Sequence, residues 1–326
     1  MSSLTNFNGS GSPDNGFYIS AFHNFVHRNY LILILSVIYI LTLVGNLILL
    51  AILFMNASLH NAKYIAVCNL ALVDISVNSI IIPQMVPVVV FDLNHVSFGM
   101  CFSQMFFMHF FTDMESFSLA VLAYDRLVAI CFPLRYATIN TNTRMFFILV
   151  GIWVLVFLIE IYPVALASRL PYCASRVIRS CCCEHGPVYI LACTDVSYNR
   201  RVAKAKTLAV LFGPLFFIFC TYFLVVVAVL RIASMEQRKK AFATCLTHML
   251  LVLVYYVPIV LAYLLGSRGL VTSPDLLTAI LTVSVTSPPM LNPIIYSLKT
   301  EELREKITKL IRPQKVAPKF NNKGSM

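Results

Sequence analysis

Seven long runs almost free of charge cover most of this chain: residues 30–55, 64–91, 96–124, 145–168, 207–230, 241–267 and 269–298. Each is long enough to cross a bilayer as a helix of about 20 residues, and none alternates as a barrel strand must. A chain of 326 residues with 59% hydrophobic and 12% charged residues could not bury its apolar surface in one water-soluble core. The reading is an all-α membrane protein. A seven-transmembrane helix bundle occupies residues 29–298, between a tail at 1–28 and a second at 299–326.

An odd number of crossings puts the two ends on opposite sides. Residues 1–28 hold no apolar stretch that could serve as a signal-peptide core, so the first run is expected to start insertion itself. With the amino end outside, Lys63, Arg126, Arg135, Arg144, Arg231, Arg238, Lys239, Lys240 and the bases beyond 298 fall inside, sixteen of the 25 Lys and Arg. The other nine fall outside, most of them in or just after the longest outer loop, so the positive-inside bias is present but not clean. That bias accounts for the net charge of +11 without nucleic acid, for which no binding motif is present. Asn8-Gly9-Ser10 is then an outer glycosylation acceptor, and Asn56-Ala57-Ser58 lies inside and unused. Past 298, Leu303, Ile307, Leu310 and Ile311 share one face of TEELREKITKLIR, which suits a short helix on the inner leaflet, stopped by Pro313. The basic tail after it would be drawn to anionic lipid.

Ions inside the runs carry the functional signal, because a lipid-facing charge is hard to tolerate. Asp74 lies in the second run, Asp113 and Glu115 in the third and Glu160 in the fourth. Asp74 and Glu115 should both face the interior, where they repel unless a proton or a cation is shared. The alternative is hydrogen bonding to Asn46 and Asn292 with no ion. His109 and Asp113 are four residues apart on one helix and can pair with each other. Glu160 has no partner visible in the sequence. Asp125-Arg126, where the third run ends, is either an anchor at the lipid boundary or an ionic switch.

Of the ten Cys, Cys68, Cys131, Cys220 and Cys245 fall in or near helices and read as free apolar residues. Cys101, Cys173, Cys181, Cys182, Cys183 and Cys193 lie on the oxidising outer side, where six cysteines allow fifteen pairings. Only His185 stands near them, so no metal site is expected.

The stretch LAYDRLVAICFPLRY, residues 122–136, closely resembles the MAYDRYVAIC signature of the odorant receptors, a branch of the rhodopsin-like G-protein-coupled receptors. Gly45-Asn46, Leu59-His60 with Tyr64, Asp74, Lys240-Ala241-Phe242-Ala243-Thr244-Cys245 with Thr247-His248, and Pro289-Met290-Leu291-Asn292-Pro293-Ile294-Ile295-Tyr296 follow in the family's order. Met114-Glu115-Ser116 and His109 are similar to the branch associated with water-soluble odorants, and Lys63-Tyr64-Ile65-Ala66-Val67 to aquatic-vertebrate members. Leu127, where the family has Tyr, and Asn61-Ala62-Lys63, where it has Pro-Met, depart from the pattern.

The resemblance implies a small-molecule odorant bound from outside and a stimulatory, olfactory-type G protein that raises cyclic AMP. It implies disulfides Cys101–Cys183 and Cys173–Cys193, leaving Cys181 and Cys182 over. Arg126, held by Asp125 at rest, would be freed on activation to meet Tyr222 and Tyr296, with Asn292 in the same switch. A sodium ion is expected at Asp74 and Glu115, with no other cofactor. Ligand contacts fall on His109, Thr112, Asp113, Tyr256 and Ile259, each with a packing role as its alternative. Lys204, with Lys206 and Arg268, either snorkels to headgroups or forms a positive vestibule for acidic odorants.

Three rivals remain. A rhodopsin-like receptor for a peptide or amine would lack the odorant motifs. A transporter or channel through Asp74, Asp113 and Glu115 would need paired halves, and none is visible. An intramembrane enzyme would need a nucleophile placed beside a base, and none is present.

Overall fold

The structure, a computed structural model, describes residues 16–20, 22, 27–91, 94–173, 175–267, 273–299 and 303–306. Asn8, Arg268, Ile307, Leu310, Ile311 and Pro313 lie outside them. In chain order the elements are β1 (Gly16–Ile19), α1 (Arg28–Met55), α2 (Ala62–Phe91), β2 (His95–Ser97), α3 (Phe98–Cys131), α4 (Tyr136–Ile139), α5 (Asn142–Ser168), β3 (Val177–Ile178), α6 (His185–Tyr189), α7 (Ser197–Leu230), α8 (Met235–Ser267) and α9 (Pro274–Lys299). Seven of these helices are long, one for each apolar run. Of them α1, α2, α5, α7 and the Met235–Ala262 part of α8 are long and apolar enough to cross a membrane. The helix α3 joins them when taken with the turn after it, bent by 110°.

The helices α1, α2, α5, α7 and α8 each start before the apolar stretch that announced them, and α3 runs past the end of its own. The hydroxyl of Ser97 caps α3 by accepting from the Met100 amide at 3.3 Å, and Thr141 caps α5 by accepting from Arg144 at 3.2 Å. The helix α7 starts at Ser197, well before its apolar run, and so carries Lys206 as a helical residue. That extension decides the chemistry of the site below.

The helix α3 is the central post, packed against α2, α5, α7 and α8, while α1 lies against α2 and α9. In lipid, apolar surface alone gives helices little reason to associate, so close packing and interhelical hydrogen bonds must do it. Asn78 Nδ2 donates to Thr42 Oγ1 at 2.7 Å and to the Thr286 carbonyl at 3.1 Å, tying α2 to α1 and α9. Trp153 Nε1 donates to Asn69 Oδ1 at 2.8 Å, and Asn69 Nδ2 to Ser118 Oγ at 2.8 Å, tying α5, α2 and α3.

Gly45 lets α1 approach α9. A Cβ placed there would stand 2.9 Å from Cγ of Pro293, and the rigid ring has nowhere to swing. Gly45→Val is therefore expected to lower the yield of folded protein several-fold, read by size-exclusion chromatography of the detergent-solubilised chain. A wild-type yield would show that α1 and α9 need not meet here.

At the disulfide end, residues 16–19 of the tail are paired into a small sheet. The strand β1 pairs antiparallel with β2 and parallel with β3 in the order β2-β1-β3. Phe17 is fully buried edge-on against Phe98 and Tyr172, at ring-centroid distances of 4.8 and 5.0 Å. Phe22 N donates to Asp275 Oδ1 at 3.0 Å, at the start of α9. Phe17, Tyr18 and Ile19 are residues that suit a strand, but the partners that make this one come from two distant loops. At the opposite end residues 303–306 are helical and Leu303 is fully buried, the described part of the expected terminal helix.

Candidate functional site

Three polar centres line α3 from one end to the other. Nearest the disulfides, Asp113 of α3, Glu160 of α5 and Lys206 of α7 come together. Asp113 Oδ2 stands 3.2 Å from Lys206 Nζ, and the same ammonium lies against Glu160 Oε1 as an ion pair. All three are nearly closed to solvent, at 7%, 0% and 9% exposure. The partner of Glu160 that the sequence did not show is thus Lys206. That residue is drawn into the bundle and not to the mouth, where it was expected beside Lys204. Lys204 itself is exposed.

His109 could have paired with Asp113 or met the ligand; the structure sets it against His185 of α6, the rings stacked at 4.9 Å and 18°. The hydroxyl of Tyr189 lies 3.2 Å from His185 Nδ1. Burial, with the Lys206 charge nearby, pushes His185 down to about 3, so the ring is neutral at any physiological pH. Thr112 Oγ1 is spent on its own helix, donating to the Met108 carbonyl at 2.8 Å, and Tyr255 OH donates to the Thr112 carbonyl at 3.0 Å. Tyr256 OH and Ser116 Oγ are 2.7 Å apart, and Ile259 packs half-buried on the core.

Loop segments roof this centre. Cys101–Cys183 fastens the long loop to the first turns of α3, with Cα atoms 5.4 Å apart, and Cys173–Cys193 closes the loop on itself at 5.8 Å. These are the pairs that the resemblance implied. Cys181 and Cys182 are buried and free, their sulfurs 3.3 Å apart. Among the described residues no group of His, Cys, Asp and Glu is arranged to hold a metal.

The middle centre joins α2, α3 and α9. Asn292 Nδ2 donates to both oxygens of Asp74, at 3.0 and 3.1 Å. Asn46 turns instead to the carbonyls of Thr42 and Pro289, each at 3.0 Å. Glu115 is fully buried and neither of its oxygens accepts a hydrogen bond.

At the far end, Arg126 reaches sideways to Asp125, 2.5 Å from Nη2 to Oδ2. Asp125 is fully buried and also accepts from Tyr136 OH at 2.6 Å and Asn140 Nδ2 at 2.8 Å. Tyr222 OH lies 2.7 Å from His248 Nδ1, and His248 Nε2 is 3.0 Å from the Leu119 carbonyl. Tyr296 is buried nearby in the core. Asp125 and Arg126 are thus together, while Tyr222 is engaged by α8.

Several residues here escaped the sequence reading. Tyr136 and Asn140 lie in the turn after α3, and their hydroxyl and amide could have been suspected only from the buried acid they serve. His248 stood out as a motif residue without a role. Lys206, Glu160 and His185 belong to three different elements, and no spacing rule links them.

Seven helices around a central α3, with a disulfide-fastened loop at one end and an Asp-Arg pair at the other, define a receptor of the G-protein-coupled architecture. The profile of the olfactory receptor family matches residues 35–314. Human olfactory receptor 51I1 is 37% identical over 278 residues, 85% of this chain and 88% of its own length. Human olfactory receptor 52K1 is 36% identical over 84% of this chain and 87% of its own length. Mouse olfactory receptor 1M1 is 34% identical over 84% and 87%. The chain belongs to the olfactory receptor family: it is a multi-pass membrane receptor and not an enzyme, with a small-molecule ligand and a G protein as partners.

Proposed function

We propose that this receptor binds an odorant in the bundle beneath the disulfide-fastened loop and activates a stimulatory, olfactory-type G protein, raising cyclic AMP. The amino terminus and the disulfide end face outside, with Asn8 glycosylated, and the Asp125–Arg126 end faces the cytoplasm. The observation that carries this reading is the state of the two ends. Buried polar side chains from α3, α5, α6 and α7 converge near the loop, while Arg126 is held by Asp125 and Tyr222 by His248.

His109, Thr112, Asp113, Tyr256 and Ile259 line the ligand region, and Lys204 stands at its rim. Ligand binding favours a state in which α8 moves away from α3. That motion separates His248 from the Leu119 carbonyl and releases Tyr222. Arg126 then leaves Asp125 for the hydroxyls of Tyr222 and Tyr296, and Asn292 couples the middle centre to the same change. The two fully buried carboxylates, one with both oxygens unbonded, fit a hard monovalent cation, so Asp74 and Glu115 would hold sodium in the resting state.

Two results test this. In cells lacking endogenous stimulatory Gα subunits, odorant-evoked cyclic AMP should appear only when the olfactory type is restored; a response restored only by an inhibitory or phospholipase-coupled subunit would contradict it. Tyr136→Phe removes one of the donors holding Asp125 and is expected to raise ligand-free cyclic AMP about tenfold, the worth of one hydrogen bond to a charged group at about 1.5 kcal/mol. Unchanged basal output would mean that Tyr136 does not restrain the switch.

A further inference from the structure

The cluster of Asp113, Glu160 and Lys206 does not balance. Two carboxylates face one ammonium, and among the described residues the ion pairs that both acids make go to Lys206. Glu160 is wholly buried, and its Oε2 accepts no hydrogen bond. His185, near Lys206, does not supply the missing charge, because burial and that ammonium keep it neutral, and its ring stacks flat on His109 with its Nε2 buried and unbonded. A buried carboxylate without a counter-ion costs several kcal/mol, so the site must take up either a proton or a cation.

We propose that the ligand supplies that cation: the site beneath the loop takes a small molecule bearing a protonated primary amine, seated between Asp113 and Glu160. This rests on the receptor reading above and gives the ligand its chemical class. The ammonium, a donor only, matches the acceptor that is open there, Oε2 of Glu160, together with the carboxylate of Asp113. At rest a proton on the carboxyl pair keeps the cluster neutral; an entering ammonium displaces it, and the proton leaves to solvent. An acidic odorant meets the opposite situation. Lys206 is already shared by two acids, and an incoming carboxylate would add a third anion to one ammonium.

The test compares cyclic AMP dose responses to primary amines, alcohols and carboxylates of matched carbon skeleton, in wild type and Glu160→Gln at equal surface level. Glu160→Gln leaves a balanced Asp113–Lys206 pair, so it should fold at least as well as wild type. Amines should act at concentrations at least about tenfold below those of the matched alcohols, and Glu160→Gln should collapse that ratio towards one. Asp113→Asn, with Lys206 and Glu160 left as the balanced pair, provides a second variant with the same expected loss. Preference for alcohols or carboxylates, or an amine preference that both variants keep, overturns the proposal while leaving an odorant receptor. Silence to all three classes also overturns it. In that case ligand-free cyclic AMP above an Arg126→Ala baseline shows that coupling stands and only the ligand class was wrong.

Discussion

Replacing Lys206 by Met is expected to remove most of the receptor from the cell surface. The ammonium pairs with both Asp113 and Glu160, and without it the charge on that carboxyl pair has no counter-ion in the bundle. Removing one partner of a buried ion pair typically costs about 3–5 kcal/mol, because the charge left behind is neither solvated nor compensated. That is a large part of the stability of an ordinary domain, so the folded fraction should fall many-fold. The double change Lys206→Met with Glu160→Gln discards one acid along with the base and should recover part of the loss. Surface labelling of the single and double variants reads this directly. If Lys206→Met alone reached the surface normally, both carboxylates would have to be neutral without it and the cluster would not be ionic.

The second large effect is expected at the loop. Cys101–Cys183 bridges a sequence separation of 82 residues, whereas Cys173–Cys193 bridges 20. If cross-links act mainly by restricting the unfolded chain, the longer closure is the more stabilising, by about 4–5 kcal/mol against about 3. Cys101→Ser should therefore be the more damaging of the two at the surface. It also frees Cys183 beside Cys181 and Cys182, three thiols in a row. Thermal unfolding of detergent-solubilised Cys101→Ser and Cys173→Ser should rank them in that order, and the reverse ranking would show that strand pairing holds the loop more firmly than its link to α3.

What was readable in the sequence follows from which forces act locally. The seven helices could be counted because lipid demands long uncharged runs, and a run such as 30–55 needs no knowledge of its neighbours. Helix ends were less readable. The start of α7 at Ser197 lies among charged residues that hydropathy assigns to a loop, and this hid the burial of Lys206. The cysteine pairs came from resemblance, since the spacing alone left fifteen choices. His109 and Asp113 sit four apart and looked like partners, yet each found a stronger one across the bundle, in His185 and Lys206. Local reach proposes such pairs, and tertiary packing chooses among the alternatives. The strand Gly16–Ile19 shows the same limit, because its hydrogen-bond partners lie beyond α2 and beyond α5.

The most direct test of the receptor mechanism is odorant-evoked cyclic AMP in cells carrying the olfactory stimulatory G protein, with wild type and Arg126→Ala compared at matched surface expression. The prediction is a saturable response in wild type that Arg126→Ala abolishes, because the proposed mechanism makes the arginine held by Asp125 the group released towards the G protein. A response of equal size in Arg126→Ala would place coupling elsewhere and contradict the role given to this pair.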